Sequence, residues 1–165
     1  MNWLTEKLIM KHMKVRPDFV IGGAEDPYLR RWYLIPRNRF FNIYLHQFLR
    51  PDDDRALHDH SWCWASWMLF GSYFEHRILA GGIHSRRQHK EGKWTFGLPS
   101  TAHRVELRTY EDYDGSRRHI VCWTLFLTGP RVRNWGFHCP VQGWVPWQKF
   151  TDPDDSGSTG KGCDQ

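Results

Sequence analysis

The chain has 165 residues, of which 16% are aromatic, and carries a formal net charge of +5 at neutral pH. This length predicts one domain with a core large enough to fold without disulfide or metal staples. No run of about 18 uncharged apolar residues occurs, which argues against a helical membrane span, and the first residues lack the features of a secretory signal peptide. We therefore expect a cytoplasmic protein that is not bound to a membrane.

The four cysteines, at positions 63, 122, 139 and 163, form no Cys-x-x-Cys pair and show no spacing typical of a disulfide framework. A reduced, intracellular setting is the simpler interpretation.

Charge is unevenly distributed along the chain. The segment 151–165 has one Lys against four Asp, a net charge of −3, so residues 1–150 carry +8. A basic body of this kind could attract anionic small molecules or nucleic acid. Because the Arg residues are scattered and no nucleic-acid-binding motif occurs, we favour a small-molecule substrate over nucleic acid. The acidic, Gly- and Ser-rich composition of 151–165 predicts a disordered tail.

Apolar spacing predicts a short helix within residues 1–14, followed by a single all-β domain that extends to residue 150. Residues 19–21 form a loop or an isolated strand in this interpretation. About nine or ten strands are expected after it, the number needed for a jelly-roll sandwich. Eleven segments are candidates for these strands, of which 84–90 is either strand or loop: 28–35, 40–49, 58–60, 64–70, 73–79, 84–90, 93–96, 103–108, 119–127, 131–138 and 142–150.

One stretch, Leu57-His58-Asp59-His60, carries the clearest chemical signal. Alternate residues of a strand share a face, so the imidazoles of His58 and His60 can converge on one metal ion, whereas Asp59 points the other way. A third ligand is needed, and His103 is the best candidate because it opens a later strand after a Gly- and Pro-containing turn. Val105 and Leu107 share its face.

These features, together with Gly71 eleven residues after His60, resemble the two metal-binding motifs of the cupin superfamily. The stretches LHDHSWCWASWMLFGSYFEH, GLPSTAHRVEL and WTLFLTGPRVRNWGF look like small cupin-type proteins of bacteria and their phages, and the resemblance covers most of residues 27–150. It implies a jelly-roll sandwich, also called a double-stranded β-helix, with a metal site at its mouth. It also implies a homodimer, since cupins are often dimers.

The chain departs from the cupin pattern at three points. Where the motif places a Glu ligand, this sequence has Trp64 and Ala65. The second motif is one residue short and lacks its Gly, and Leu107 stands where an Asn is common. The resemblance therefore implies a three-His site, as in some thiol dioxygenases. Glu75 is a further ligand candidate, because the strand after the hairpin lies beside the strand of His103 in a jelly roll.

A neutral three-His site leaves coordination positions open, which suits Fe(II), with Zn, Ni or Mn as alternatives. The first hypothesis is an Fe(II) oxygenase acting on a small polar or anionic substrate. The second is a Zn-, Ni- or Mn-dependent isomerase or hydrolase, and the third is a non-catalytic binding module. Residues expected to contact a substrate are an Arg at the cavity rim and aromatic or imidazole groups on its wall: Arg55, Tyr44, His46, Trp62 and Trp64.

Overall fold

The computed structural model describes residues 2–23, 25–52, 56–155 and 157–164. Within these ranges the chain forms two helices, fourteen strands and a single 3-10 turn at Ala80–Gly82. In chain order the elements are α1 (Trp3–Met13), β1 (Phe19–Ile21), β2 (Leu29–Tyr33), β3 (Asn42–Phe48), β4 (Leu57–His58), β5 (Trp64–Phe70), β6 (Ser72–Ile78), β7 (His84–Lys90), β8 (Trp94–Gly97), β9 (Arg104–Leu107), β10 (Thr109–Glu111), β11 (Arg117–His119), β12 (Cys122–Thr128), β13 (Gly136–Cys139), β14 (Gly143–Pro146) and α2 (Trp147–Phe150).

Twelve of the fourteen strands form two facing layers, and β10 and β11 pair as a separate two-stranded sheet. One layer is a six-stranded antiparallel sheet in the order β1-β2-β3-β12-β5-β8. The other contains two three-stranded sheets, β7-β6-β9 and β14-β13-β4. Reciprocal backbone hydrogen bonds of 2.9 Å between His58 and His103 join these two sheets. This is the all-β jelly-roll sandwich with a short N-terminal helix that the sequence predicts.

Alternation of apolar residues along the strands explains why the layers pack face to face. The main core cluster contains residues of β2, β3, β5 and β12 from one layer and of β6 and β9 from the other. Val105 and Leu107 of β9 are both buried in it, on the face predicted for His103. The buried members are Tyr28, Leu29, Phe48, Met68, Tyr73, Val105, Leu107 and Cys122.

Helix α1 covers part of the outer face of the six-stranded sheet. The side chain of Asn2 caps it by accepting a hydrogen bond of 2.9 Å from the backbone N–H of Thr5. Ile9 is buried against a cluster that includes Trp32 and Trp123, whose rings stack with centroids 5.4 Å apart. No helix among the described residues is long and apolar enough to span a membrane.

The C-terminal part differs from the sequence prediction. Strand β13 begins only at Gly136, and the predicted strand 142–150 divides into β14 and the helical turn α2. The described residues beyond 150 are not a disordered tail. A bridge between Thr151 and Thr159 and a disulfide between Cys139 and Cys163 fold them back onto the domain.

The segment beyond residue 150 is ordered because of a third apolar cluster, which its acidic composition does not indicate. Phe150 and Cys163 are buried beside Ala56, Cys139 and Val145, so the segment has its own contacts with the core. The prediction of a reduced setting rested on cysteines without partners, and the disulfide removes that support.

Candidate metal centre

Three histidines from two chain segments converge where β4 meets the start of β9. His58 ends β4 and pairs with His103, while the backbone N–H of His60 donates to the carbonyl of Pro99 at 3.0 Å. The ring centroids are 4.8–5.2 Å apart. One nitrogen from each ring lies within 4.8 Å of the other two, and the Nε2 atoms of His60 and His103 are 2.9 Å apart.

Burial favours the neutral form of His60 and His103. It lowers the pKa of His60 well below the usual range, with further lowering from the charges of His103 and His58. Burial also lowers the pKa of His103, although the hydrogen bond to Glu75 opposes this. A neutral imidazole has one nitrogen lone pair available, which is the form that binds a metal.

Two carboxylates lie behind the rings. The Nδ1 atom of His103 donates to Oε1 of Glu75 at 2.6 Å, and Nδ1 of His58 lies 2.8 Å from Oδ2 of Asp52. With the proton of His103 held at Nδ1, its lone pair is left on Nε2. Carboxylates in this position orient histidine ligands and raise their basicity.

Glu75 is therefore placed behind a ligand candidate and is not part of the three-nitrogen group, contrary to its prediction as a ligand. Its Oε1 also accepts from Arg77 at 2.9 Å, and its Oε2 accepts from Nε2 of His89 at 3.0 Å. Burial alone would raise the pKa of Glu75, but the hydrogen bonds from His103, His89 and Arg77 outweigh it and hold the pKa well below the usual range. The carboxylate stays ionised behind His103.

The donor set fits a divalent transition metal. Two nitrogens that each lie about 2.1 Å from one ion are about 3.0 Å apart when they subtend a right angle. The observed separation of 2.9 Å between Nε2 of His60 and Nε2 of His103 matches this value. Imidazole nitrogens suit Fe, Zn and Ni, and the three residues that would hold the ion are His58, His60 and His103.

Aromatic packing fixes the orientation of His103. The indole of Trp64 stacks on this ring with centroids 5.0 Å apart. The same indole also stacks on the ring of Phe126. A Cβ atom at Gly97, the strand partner of Trp64, would lie 2.2 Å from the indole. The residue at position 97 must therefore be Gly for Trp64 to occupy this place.

The histidines open onto a cavity of about 700 Å³. His58 and His60 form part of its wall, and aromatic rings dominate the remainder, among them Tyr33, Tyr44 and Trp62. The charged residues of the lining are three cations and one anion: Arg31, Arg37, Arg50 and Asp52. A cavity of this size, apolar with a few polar groups, is typical of small-molecule sites.

Only some of the residues predicted to contact a substrate line the cavity. Tyr44 and Trp62 line the cavity. His46 and Trp64 are buried behind the wall, where His46 stacks on Tyr44 at 5.9 Å and Trp64 packs on His103. Arg55 lies outside the described residues.

Sequence reasoning missed Arg31, the cavity residue whose guanidinium contacts both His46 and Tyr44. Its Nε donates to Nε2 of His46 at 2.9 Å, and its guanidinium lies 4.9 Å from the centre of the Tyr44 ring. The available signal was the strand period: Arg31 lies two residues from both Leu29 and Tyr33 and therefore shares their face of β2. This places a cation on the inward face of the strand.

Asp59 lies between the two histidines in sequence but faces away from them. It is 1% exposed and accepts hydrogen bonds from the backbone of Gly136 and the side chains of Arg133 and Trp144, at 2.8, 2.8 and 3.1 Å. These bonds tie the end of β4 to β13 and β14. The carboxylate thereby fixes the backbone that carries His58 and His60.

A second histidine cluster lies on the opposite face of β6. His76 contacts His84 through Nδ1 at 2.9 Å and Glu106 through Nε2 at 2.6 Å. Arg86 donates to both oxygens of Glu106, at 3.0 and 2.8 Å. We call these four residues the outer cluster.

No protein-family model matches the chain, and no curated protein sequence is similar to it. Solved structures match at low identity. The EutQ protein of Clostridium difficile is 8% identical, with 64% of this chain and 70% of that chain covered and a TM-score of 0.44. A cupin-superfamily protein of Desulfitobacterium hafniense is also 8% identical, over 66% and 83% of the two chains, with a TM-score of 0.44. An Fe(II)-containing HppE in complex with substrate is 13% identical, over 69% and 56%, with a TM-score of 0.49.

With TM-scores below 0.5, these likenesses carry no argument on family or activity. The order of the strands, the two facing layers and the junction at His58 and His103 are all observed in this chain itself. The chain therefore has the all-β jelly-roll fold that its sequence predicts.

Proposed function

We propose that the chain is an Fe(II)-dependent oxygenase that acts on a small anionic molecule bound in the cavity. One observation carries the proposal: three imidazoles converge, two of them held neutral by burial, and His58 and His60 of this group line the wall of a 700 Å³ cavity. When bound, Fe(II) would supply O2 activation beside the substrate. Three protein ligands leave positions open for this chemistry.

The chain's own residues have distinct roles in this proposal. His58, His60 and His103 would hold the ion, and Glu75 keeps the proton of His103 on Nδ1. Cavity arginines favour an anionic substrate over a neutral one. Aromatic walls limit the access of water to the reacting groups.

Metal content and O2 consumption of the purified protein test the proposal. We expect close to one Fe per chain by elemental analysis after anaerobic purification. Loss of the metal is expected in the His58→Ala/His103→Ala variant. The matched control is His76→Ala/His84→Ala, which removes two histidines of the outer cluster and should retain Fe.

The fate of O2 separates the reaction classes. We expect O2 uptake by the Fe-loaded protein with at least one member of a panel of small carboxylic acids and thiols. Stoichiometric Zn, Ni or Mn, with turnover unchanged under anaerobic conditions, would replace the oxygenase by an isomerase or hydrolase. A protein that binds no divalent metal would overturn both.

A further inference from the structure

Arg31 is a cation inside the domain without a carboxylate partner among the described residues. Its contacts there are the neutral acceptor Nε2 of His46 and the face of the Tyr44 ring. Burial lowers the pKa of Arg31 from its usual value, yet guanidinium remains charged at any ordinary pH. Arg31 is half-buried on the cavity wall, and a partly desolvated cation without a counter-ion favours an anionic ligand there.

The acidic residue in the same cavity is engaged elsewhere. Asp52 lies 2.8 Å from His58. Arg50, another cavity cation, pairs with Asp26 at 3.0 Å. Arg31 therefore differs from Arg50 in offering its charge to the cavity.

The fixed position of Arg31 favours recognition of a planar anion. Register pairing sets Arg31 opposite His46, and the bond from Nε to Nε2 of that ring leaves the two terminal nitrogens for another acceptor. Burial lowers the pKa of His46 well below its usual range, as does the charge of Arg31, so His46 remains a neutral acceptor. A guanidinium held by its Nε can bind both oxygens of a carboxylate.

The remainder of the cavity indicates what the anion is attached to. Its wall carries aromatic rings, including Tyr33, Tyr44, Trp135 and Trp147, which stack on flat apolar groups. The Nε1 atom of Trp62 is a buried donor without an acceptor among the described residues, and a polar substituent could accept from it. Arg31, His58 and His60 line the same cavity, so the anion site and the metal centre face one space.

We propose that Arg31 binds the carboxylate of an aromatic acid, whose ring packs against the aromatic wall while its far end faces His58 and His60. This inference rests on the proposed function for the role of the histidines, but the anion site can be tested by itself. It names the substrate class as carboxylic acids with a flat apolar body.

The test compares the binding of 3-phenylpropionate with that of its uncharged amide, followed by the fluorescence of the cavity Trp residues and by calorimetry. Wild-type protein is expected to bind the acid at least about ten-fold more tightly. Arg31→Gln should reduce this preference to less than about two-fold. Arg30→Gln removes the same charge from the exposed face of the same strand and should leave the preference unchanged.

Equal binding of acid and amide by the wild-type protein would overturn the inference. This part of the test needs no variant, so its outcome does not depend on whether Arg31→Gln folds. A ten-fold preference retained in folded Arg31→Gln would do the same. Elemental analysis of each sample distinguishes the two proposals. A protein without metal that keeps an Arg31-dependent preference contradicts the oxygenase and supports the anion site.

Discussion

Two adjacent residues of β6, Glu75 and His76, lie on opposite faces of the strand and have different partners. Glu75 points inward, where it accepts from Nδ1 of His103 and leaves Nε2 of that ring directed at His60. His76 points outward, where both of its ring nitrogens already have partners, His84 and Glu106. Each arrangement combines histidine with a carboxylate.

The order of the groups separates the two arrangements. In the inner one the carboxylates lie behind the rings, so lone pairs remain at the centre. In the outer cluster the carboxylate of Glu106 occupies Nε2 of His76, and it is paired with Arg86 as well. Both arrangements contain histidines and carboxylate, but only the inner one brings three ring nitrogens together. The comparison teaches that the site needs a third histidine and also a carboxylate that lies on the far side of the ring from the centre.

The largest expected difference comes from removing one histidine on each face. His103→Ala should weaken Co(II) binding by at least about a thousand-fold, because it removes a ligand and leaves two nitrogens. His76→Ala should change it by less than about two-fold. Titration with Co(II), followed by its visible absorption, measures both. Similar losses in the two variants would mean that the outer face takes part in metal binding.

Removing one carboxylate on each face should have a smaller effect. Glu75→Gln should lower metal affinity by about 10–100-fold, since a neutral amide no longer fixes the proton of His103 on Nδ1. Glu106→Gln is the matched control, because it makes the same change beside His76 and should leave affinity unaltered. Competition with a chelator gives both affinities, and circular dichroism checks that each variant folds. An unchanged affinity in folded Glu75→Gln would contradict the orienting role.

The smallest effect concerns acid stability and the outer cluster alone. The hydrogen bond from Arg86, together with that from His76, lowers the pKa of Glu106 to about 2, although burial opposes this. A carboxyl group with a lowered pKa stabilises the fold above its unfolded pKa, ordinarily 4.5, and loses that contribution as the pH falls toward 2. Since its side chain is 33% exposed, solvent screening reduces the expected contribution to about 1 kcal/mol.

Urea unfolding at pH 6 and pH 3 measures this contribution. Over that interval the wild-type free energy of unfolding should fall by about 1 kcal/mol more than that of Glu106→Gln. Other carboxylates contribute equally to both proteins and cancel in the difference. Equal losses in the two proteins would show that the pair with Arg86 adds nothing to stability.

Much of the fold follows from local pattern. Apolar and aromatic runs at 40–49, 64–70 and 119–127 predict three strands, and the structure forms neighbouring strands of the large sheet there, at Asn42–Phe48, Trp64–Phe70 and Cys122–Thr128. Strand parity places His103 on the face of Val105 and Leu107. These features depend on the two-residue period of a strand, which neighbouring residues specify by themselves.

Features that depend on distant contacts were not predictable in this way. The Cys139–Cys163 disulfide joins residues 24 positions apart, and burial of Phe150 and Cys163 overrides the acidic composition around them. Residues 131–135 lack the predicted strand, although Arg133 bonds to Asp59 from β4 across the fold. Spacing in the sequence contains no information on which distant partner a side chain meets.

The sequence by itself determined an all-β sandwich and grouped His58 with His60, because strand periodicity is local. The predicted strand 58–60 is observed only as Leu57–His58, and His60 lies just beyond it. Tertiary structure alone decided that Glu75 lies behind His103 and that Arg31 faces the cavity without a carboxylate partner among the described residues. Both outcomes depend on which strands become neighbours and in what register, and that is fixed by the packing of the whole core.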